Sequence, residues 1–207
     1  MAYPTVSAPY GLQAVNRVDG LPYAGAIRQI PIASTYNTPI YNGDIVNIVA
    51  GGTVAKSLVT SNVSANTATT TAGVFVGVQY VNAQGQTVQA QYYPGNSAAT
   101  TAIAYVVDDP LAAFKVAVTL SNGAMSTVNQ SVVGTNIAVV QGTGSNTTGD
   151  SAVSVFVTNS QGNATVLPFR VIAVVPDTAT TATTFAEVIV KFNNHQYNST
   201  TGLDYTA

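Results

Sequence analysis

Cysteine and tryptophan are absent from this 207-residue chain, and charge is scarce. Without cysteine there is no disulfide, no thiol nucleophile and no zinc–thiolate site. A chain of this length can bury about 70% of its unfolded surface in one core, so it needs neither disulfides nor a metal to fold. Asp, Glu, Lys and Arg make up 7% of the residues, against about 25% in ordinary globular proteins. The six basic residues, Arg17, Arg28, Lys56, Lys115, Arg170 and Lys191, are scattered, and the net charge is −2. Electrostatic binding to a phosphate backbone needs clustered Lys and Arg, so nucleic acid is not an expected partner. No apolar run reaches about 18 residues, so no membrane span is expected. The opening MAYPTVSAPYG has neither a basic n-region nor an apolar h-region, so no signal peptide is expected. Solubility must come from Thr, Ser, Asn and Gln. Such a surface suits a protein packed against others or exposed in a shell.

Leu is also scarce, whereas Val and Thr abound, which favours strands. Short apolar stretches alternate with polar residues at period two, separated by Gly, Asn and Pro. The pattern predicts strands at Ile27–Ala33 (an edge strand, because of Pro31), at Ile45–Val49, and in a hairpin from Val74 to Tyr92. Further strands are predicted around Ile103–Val107, Phe114–Leu120, Ile137–Val140 and Val153–Val157. The stretch from Leu167 to Tyr197 reads as two more strands, with Phe169, Val171, Ala173 and Val175 on one face of the first. Val188, Val190 and Phe192 share a face of the second. Asp108-Asp109-Pro110 predicts one helical turn capped by Asp. Nine to eleven strands, essentially no α-helix and no fixed-period repeat predict an all-β fold, an antiparallel β-sandwich of jelly-roll type. Residues 1–25 carry Pro4, Pro9, Gly11, Gly20, Pro22 and Gly25 with three tyrosines between them, and read as an extended N-terminal arm, either folded over the core or contacting a partner. A single domain is expected over 26–197, followed by a polar tail at 198–207.

Chemistry-bearing constellations are thin. His195 is the only histidine, and no G-x-S-x-G elbow accompanies it, so a nucleophilic triad is not expected. Adjacent Asp108 and Asp109 point to opposite faces if extended, which does not suit paired acid–base catalysis. A calcium loop would need an Asp-x-Asn-x-Asp-Gly run, and none is present. Gly142-Thr143-Gly144-Ser145 lacks the lysine and helix of a phosphate-binding loop. Tyr92-Tyr93 with flanking glutamines is the one candidate sugar platform, and the alternation with Val88 and Ala90 predicts that Tyr92 faces the core. Neither an enzyme, a cofactor nor a metal is expected.

Four features occur in order along the chain: Pro9-Tyr10-Gly11-Leu12 followed by Gly20 to Gly25; Gly43-Asp44; Asp108-Asp109-Pro110; and the closing Asn193-Asn194-His195-Gln196. Together they resemble the capsid decoration (cement, or head-stabilising) proteins of tailed bacteriophages. The resemblance implies a structural homo-oligomer, dimer or trimer, on the outer surface of the virion capsid, with the major capsid protein as partner. No catalytic residue carries over. The expected contact residues are Tyr3, Pro4, Pro9, Tyr10 and Leu12 of the arm, by ordering onto a partner or adding a strand to an exposed edge. The competing expectation is a virion-surface or tail-associated module that binds host carbohydrate.

Overall fold

A computed structural model describes residues 8–57, 71–95, 101–156, 167–176, 178 and 186–199. Among these the chain is all-β, with twelve strands and two single 3-10 turns. The strands are β1 (Gln13–Arg17), β2 (Arg28–Ile32), β3 (Ile45–Val49), β4 (Thr53–Lys56), β5 (Gly73–Val81), β6 (Thr87–Ala90), β7 (Ala102–Val107), β8 (Ala112–Thr119), β9 (Asn136–Gln141), β10 (Val153–Phe156), β11 (Phe169–Val174) and β12 (Glu187–Phe192). They form two six-stranded sheets, and in each the pairing returns on itself. In the first cycle β3 pairs β4, β4 pairs β2 in parallel, β2 pairs β7, β7 pairs β5, and β5 pairs β3. In the second, β9 pairs β10, β10 pairs β8 in parallel, β8 pairs β12, β12 pairs β11, and β11 pairs β9. One extra strand hangs on each cycle, β6 on β5 and β1 on β8.

The two cycles are the same design in the same register. Gly43 N–H donates to the Phe75 carbonyl and Phe75 N–H to the Asp44 carbonyl; Gly134, Val171 and Thr135 repeat this pair of bonds. A β-bulge follows in each case, between Phe75 and Gly77 and between Val171 and Ala173. From that anchor every pairing matches. Phe75 faces Val106 as Val171 faces Val190, and Ala104 faces Ile30 as Val188 faces Val116. Ile32 faces Val54 as Val118 faces Val155, and Ile48 faces Val54 as Val139 faces Val155. Equivalent inward residues fill separate cores. Ile30, Ile32, Val46, Val54, Phe75, Val78, Ala104 and Val106 pack in the first. Val116, Val118, Ile137, Val155, Val171, Val174, Val188 and Val190 pack in the second. No period was visible in the sequence because the loops differ in length: Val106 to Val190 is a shorter step than Val54 to Val155.

Several expectations need correction. Of the two expectations for the N-terminal arm, its part from Gly11 onward folds over the core: Leu12 is buried, and β1 adds antiparallel to β8. Every strand of the two cycles lies within residues 26–197, and β1 joins the second from outside that span. Asp108-Asp109-Pro110 forms no helix. Asp109 Oδ1 accepts the Leu111 N–H and its carbonyl accepts the Ala112 N–H, which is an Asx-type turn leading directly into β8. The bulges break the single faces expected for two strands, Val74, Val76, Val78 and Tyr80 on β5 and Phe169, Val171, Ala173 and Val175 on and just past β11. Val74 and Phe75 are both buried on β5, and after Val171 the next core residue is Val174 rather than Ala173. Leu120 is 50% exposed because the chain turns there, its carbonyl accepting the Gly123 N–H. Val157 and all but the last residue of the surface loop expected at Ser61–Thr71 lie outside the described residues; Thr71 itself is buried and bonded to the Asn194 carbonyl.

Candidate functional site

The outer face of the first cycle carries an apolar row, Ile45–Val74–Val107, in register across β3, β5 and β7. These three residues pack into the second cycle's core, together with Leu12. The equivalent row of the second cycle is Asn136–Arg170–Lys191. There the Arg170 Nε donates to Asn136 Oδ1 at 3.0 Å, and Arg170 is exposed. The seam between the cycles therefore explains why duplicated positions differ in polarity.

Apart from the exposed Gly20 to Gly25 stretch, the ordered motifs of the sequence bear on this seam or its rim. Gly11 and Gly43 lie back to back. A Cβ on Gly11 would sit 2.8 Å from Gly43 Cα, and one on Gly43 2.9 Å from Gly11 Cα, both at positive φ. Gly11 N–H donates to the Val153 carbonyl, and Leu12 N–H to the Gly43 carbonyl. Asp44 is fully buried. Its Oδ2 accepts the Tyr41 N–H at 2.9 Å and pairs with Lys56 Nζ at 2.8 Å. Its Oδ1 accepts from Ser151 Oγ of the second cycle at 2.6 Å. A buried carboxylate is tolerable only when matched in this way.

The Asn-Asn-His-Gln run closes the other side. Asn193 Nδ2 donates to Asn136 Oδ1 and to the Leu167 carbonyl. The Asn194 carbonyl accepts both the N–H and the Oγ1 of Thr71. His195 is buried against Phe192 and Tyr197, and its Nδ1 accepts the Tyr197 N–H. Burial pushes its pKa down, with the Ala72 backbone, Asp108 and Asp109 opposing more weakly. Gln196 Oε1 accepts the Ile48 N–H at 2.7 Å, while its Nε2 donates to the Ile48 carbonyl at 2.9 Å. The amide thus continues β3 as a strand partner would. At the rim Asp108 pairs with Arg28 at 2.6 Å and Asp109 with Arg17 at 3.3 Å.

The expected contact residues fall as follows. Tyr3 and Pro4 lie outside the described residues. Pro9 is half-buried. The Tyr10 hydroxyl donates to Glu187 Oε1 under the Lys115 ammonium. Burial, then the hydrogen bond and the charge of Glu187, raise its pKa far above the ordinary phenol value. Leu12 is 2% exposed. Tyr10 and Leu12 are therefore internal contacts of this chain, and neither offers its side chain freely to a partner.

The remaining candidates are structural. Tyr93, not Tyr92, is the core tyrosine, because β6 ends at Ala90 and the bend that follows resets the alternation. Tyr92 stacks on Tyr41 with ring centroids 5.6 Å apart, and Tyr41 donates to Asn146 Oδ1 at 2.6 Å. The Gly142–Ser145 loop lies against that stack, Gly144 so close that a Cβ would meet the Tyr41 ring. Asp150 accepts from Gln91 Nε2. Among the described residues no three His, Asp or Glu side chains gather where they could hold a metal ion. No helix among them is long and apolar enough to cross a membrane.

No family model, curated protein or solved structure was found to match the chain. Sequence reasoning missed the seam because its parts are far apart: Ser151 reaches Asp44, and Gln196 reaches Ile48, across most of the chain. A buried Asp directly after a positive-φ glycine was the one local signal.

Proposed function

We propose that this chain is a structural virion protein, a capsid decoration protein that binds the outside of a phage head and stabilises the expanded major-capsid lattice. The observation that carries this reading is the engagement of Gly11-Leu12, Gly43-Asp44, Asp108-Asp109 and Asn193 to Gln196 at one seam and its rim. They belong to a single architectural signature and not to separate sites, which is what a resemblance between scaffolds requires. The low charge and the extensive Thr, Ser and Asn surface fit a molecule held by shape and hydrogen bonding. The mechanism is linkage. A protein that binds only the expanded shell stabilises that shell by mass action, and bridging neighbouring capsomers resists outward pressure. Tyr3 and Pro4 remain the proposed arm contacts with the major capsid protein.

At the level of architecture, the closed pairing favours two small tandem barrels over the single jelly-roll sandwich expected from sequence. The carbohydrate-binding alternative has less support, because Tyr92 and Tyr93 are occupied internally by Tyr41 and by the first core. The deciding experiment is co-sedimentation of the purified protein with expanded capsids lacking it, with unexpanded procapsids as control. Saturable pelleting with expanded shells alone is expected, with mild salt dependence because few charges are available. No pelleting with either shell, or a steep loss between low and moderate salt, would overturn the reading.

A further inference from the structure

The two 3-10 turns, Gln130–Val132 and Gln196–Asn198, are capped in the same way by residues of different chemistry. Asn129 Oδ1 accepts the Ser131 N–H, two residues on, at 3.1 Å. His195 Nδ1 accepts the Tyr197 N–H, also two residues on, at 3.2 Å. An amide oxygen accepts at every pH. An imidazole nitrogen accepts only while the ring is neutral, and both nitrogens become donors once it is charged. With Nδ1 accepting, the neutral ring carries its proton on Nε2, which is buried without a hydrogen bond of standard geometry. A second proton can go only onto Nδ1, where it would meet the Tyr197 N–H. The charged ring and the capped turn therefore exclude each other.

This turn belongs to the run that fastens the second cycle to the first. Leaving β12, Asn193 bonds within the second cycle, to Asn136 and to the Leu167 carbonyl. The residues after it reach the first cycle. The Asn194 carbonyl accepts the Thr71 N–H, and the Thr71 carbonyl accepts the Gln196 N–H. The Gln196 side chain holds both backbone groups of Ile48. Tyr197 then meets β2, its ring centroid 5.0 Å from the guanidinium carbon of Arg28. His195 lies in the middle of this run, 5.5 Å from the Phe192 ring and 5.1 Å from the Tyr197 ring. The charged groups facing it come from the β7–β8 turn. Asp108 and Asp109 favour a protonated ring, but Arg28 and Arg17 already engage them, and burial outweighs their pull. The Tyr197 phenol, held above its ordinary value by burial, stays neutral. Phe192 of β12 and Thr71 and Ala72 ahead of β5 bring no titrating side chain.

We propose that residues 193–199 form an acid-released latch: protonation of His195 breaks its bond to the Tyr197 N–H, frees Gln196 from Ile48, and loosens the joint between the cycles while each cycle stays folded. The step is uptake of one proton from solvent and needs no other reactant. Release uncovers the N–H and C=O of Ile48 on β3 and the backbone of Thr71, a short length of strand edge that is covered at neutral pH.

The test is amide hydrogen exchange read residue by residue by NMR, with protection corrected for the intrinsic rate at each pH. From about pH 7.5 to about pH 5.5, protection of Tyr197 and Ile48 is expected to fall several-fold, and at most about tenfold, the limit set by an ordinary histidine titrating in the open state. At every pH these two amides are expected to exchange faster than Val116 in the second core, because the latch opens short of unfolding. His195→Asn supplies the cap that Asn129 already makes and cannot titrate, so it is expected to hold both amides at constant protection over the same span. Since His195 is the only histidine, the imidazole nitrogen resonances of the wild type belong to it alone. They are expected to show Nε2 protonated and Nδ1 bare at about pH 8. Constant protection of Tyr197 in the wild type, an equal fall in His195→Asn, or exchange no faster than that of Val116 would each overturn the inference. So would a neutral ring protonated on Nδ1, a readout that needs no variant. The latch rests on contacts within this chain, so none of these outcomes bears on the capsid reading.

Discussion

Asp44 is the residue on which both cycles depend. Its carboxylate is matched by an ammonium, a backbone N–H and a hydroxyl from the other cycle, with no solvent exposure. Removing one partner of such a pair leaves the other uncompensated, at a cost of about 3–5 kcal/mol. Asp44→Ala is therefore expected to lose about that much stability in urea denaturation, and Asp44→Asn a comparable amount, because an amide that still accepts from Ser151 sets its Nδ2 donors against the Tyr41 N–H and the Lys56 ammonium. An Asp44→Ala loss below about 1 kcal/mol would mean that Lys56, with 12% of its side chain exposed, finds water instead. His195 gives a pH dependence of definite sign. Its folded pKa lies below the ordinary value of 6.5. Above 6.5 both states hold it neutral and it contributes no slope. Below 6.5 the unfolded chain takes up a proton that the folded chain resists, so stability falls with pH until the folded pKa is reached. Denaturation midpoints of wild type and His195→Gln, compared from about pH 8 to about pH 5, are expected to converge as the pH drops. Parallel curves would show that the buried imidazole does not couple to folding.

At the scale of elements, Gln196 acts as one residue's worth of strand, bonding both the N–H and the carbonyl of Ile48 on β3. Gln196→Leu removes both bonds and leaves two half-buried backbone groups to seek water. The expected loss is about 1–3 kcal/mol, with faster hydrogen exchange at the Ile48 amide than at Asn47. Unchanged exchange at Ile48 would show that the side chain is not its protecting partner. The strands that such contacts join were largely legible. Ile45–Val49, Ile103–Val107 and 188–192 were legible as short β-branched runs, but the first two are apolar on both walls, Val46, Ala104 and Val106 packing in the first core while Ile45 and Val107 reach the second. Strands β1 and β4 were not legible, since QAVNR and TVAK hold too few apolar residues to show a period. The bulges after Phe75 and Val171 were hidden for another reason: a bulge inserts one residue without any required residue type, so alternation fails with no local warning. The motifs were visible as words, but their meaning was not. Gly43-Asp44 makes sense only beside Gly11 and Ser151, which chain distance conceals.

For the whole molecule, the duplication raises the question of whether the two cycles fold as one body. The divergence between equivalent rows answers it on physical grounds. Ile45, Val74 and Val107 would face water if the first cycle stood alone, whereas Asn136, Arg170 and Lys191 make the same face of the second cycle polar. The second cycle thus caps the first and ends the array, as terminal units of repeat proteins do. The shared core, Asp44–Ser151 and Gln196–Ile48 all cross the seam, so opening it exposes apolar surface and unmatched polar groups together. Unfolding is therefore expected to be a single cooperative transition. The chain itself supplies the probe. With no tryptophan, intrinsic fluorescence comes from tyrosine, and Tyr36, Tyr41, Tyr80, Tyr92, Tyr93 and Tyr105 all belong to the first cycle or its flanks. Tyrosine fluorescence thus reports mainly the first half, while far-ultraviolet circular dichroism reports strands from both. The two urea transitions are expected to coincide in midpoint and slope. In Asp44→Ala, which weakens the seam directly, they are expected to separate, with fluorescence moving first because the first cycle has lost its cover. Separate transitions already present in the wild type would mean that each cycle is stable without the other, and that the apolar row of the first is a surface awaiting some other partner.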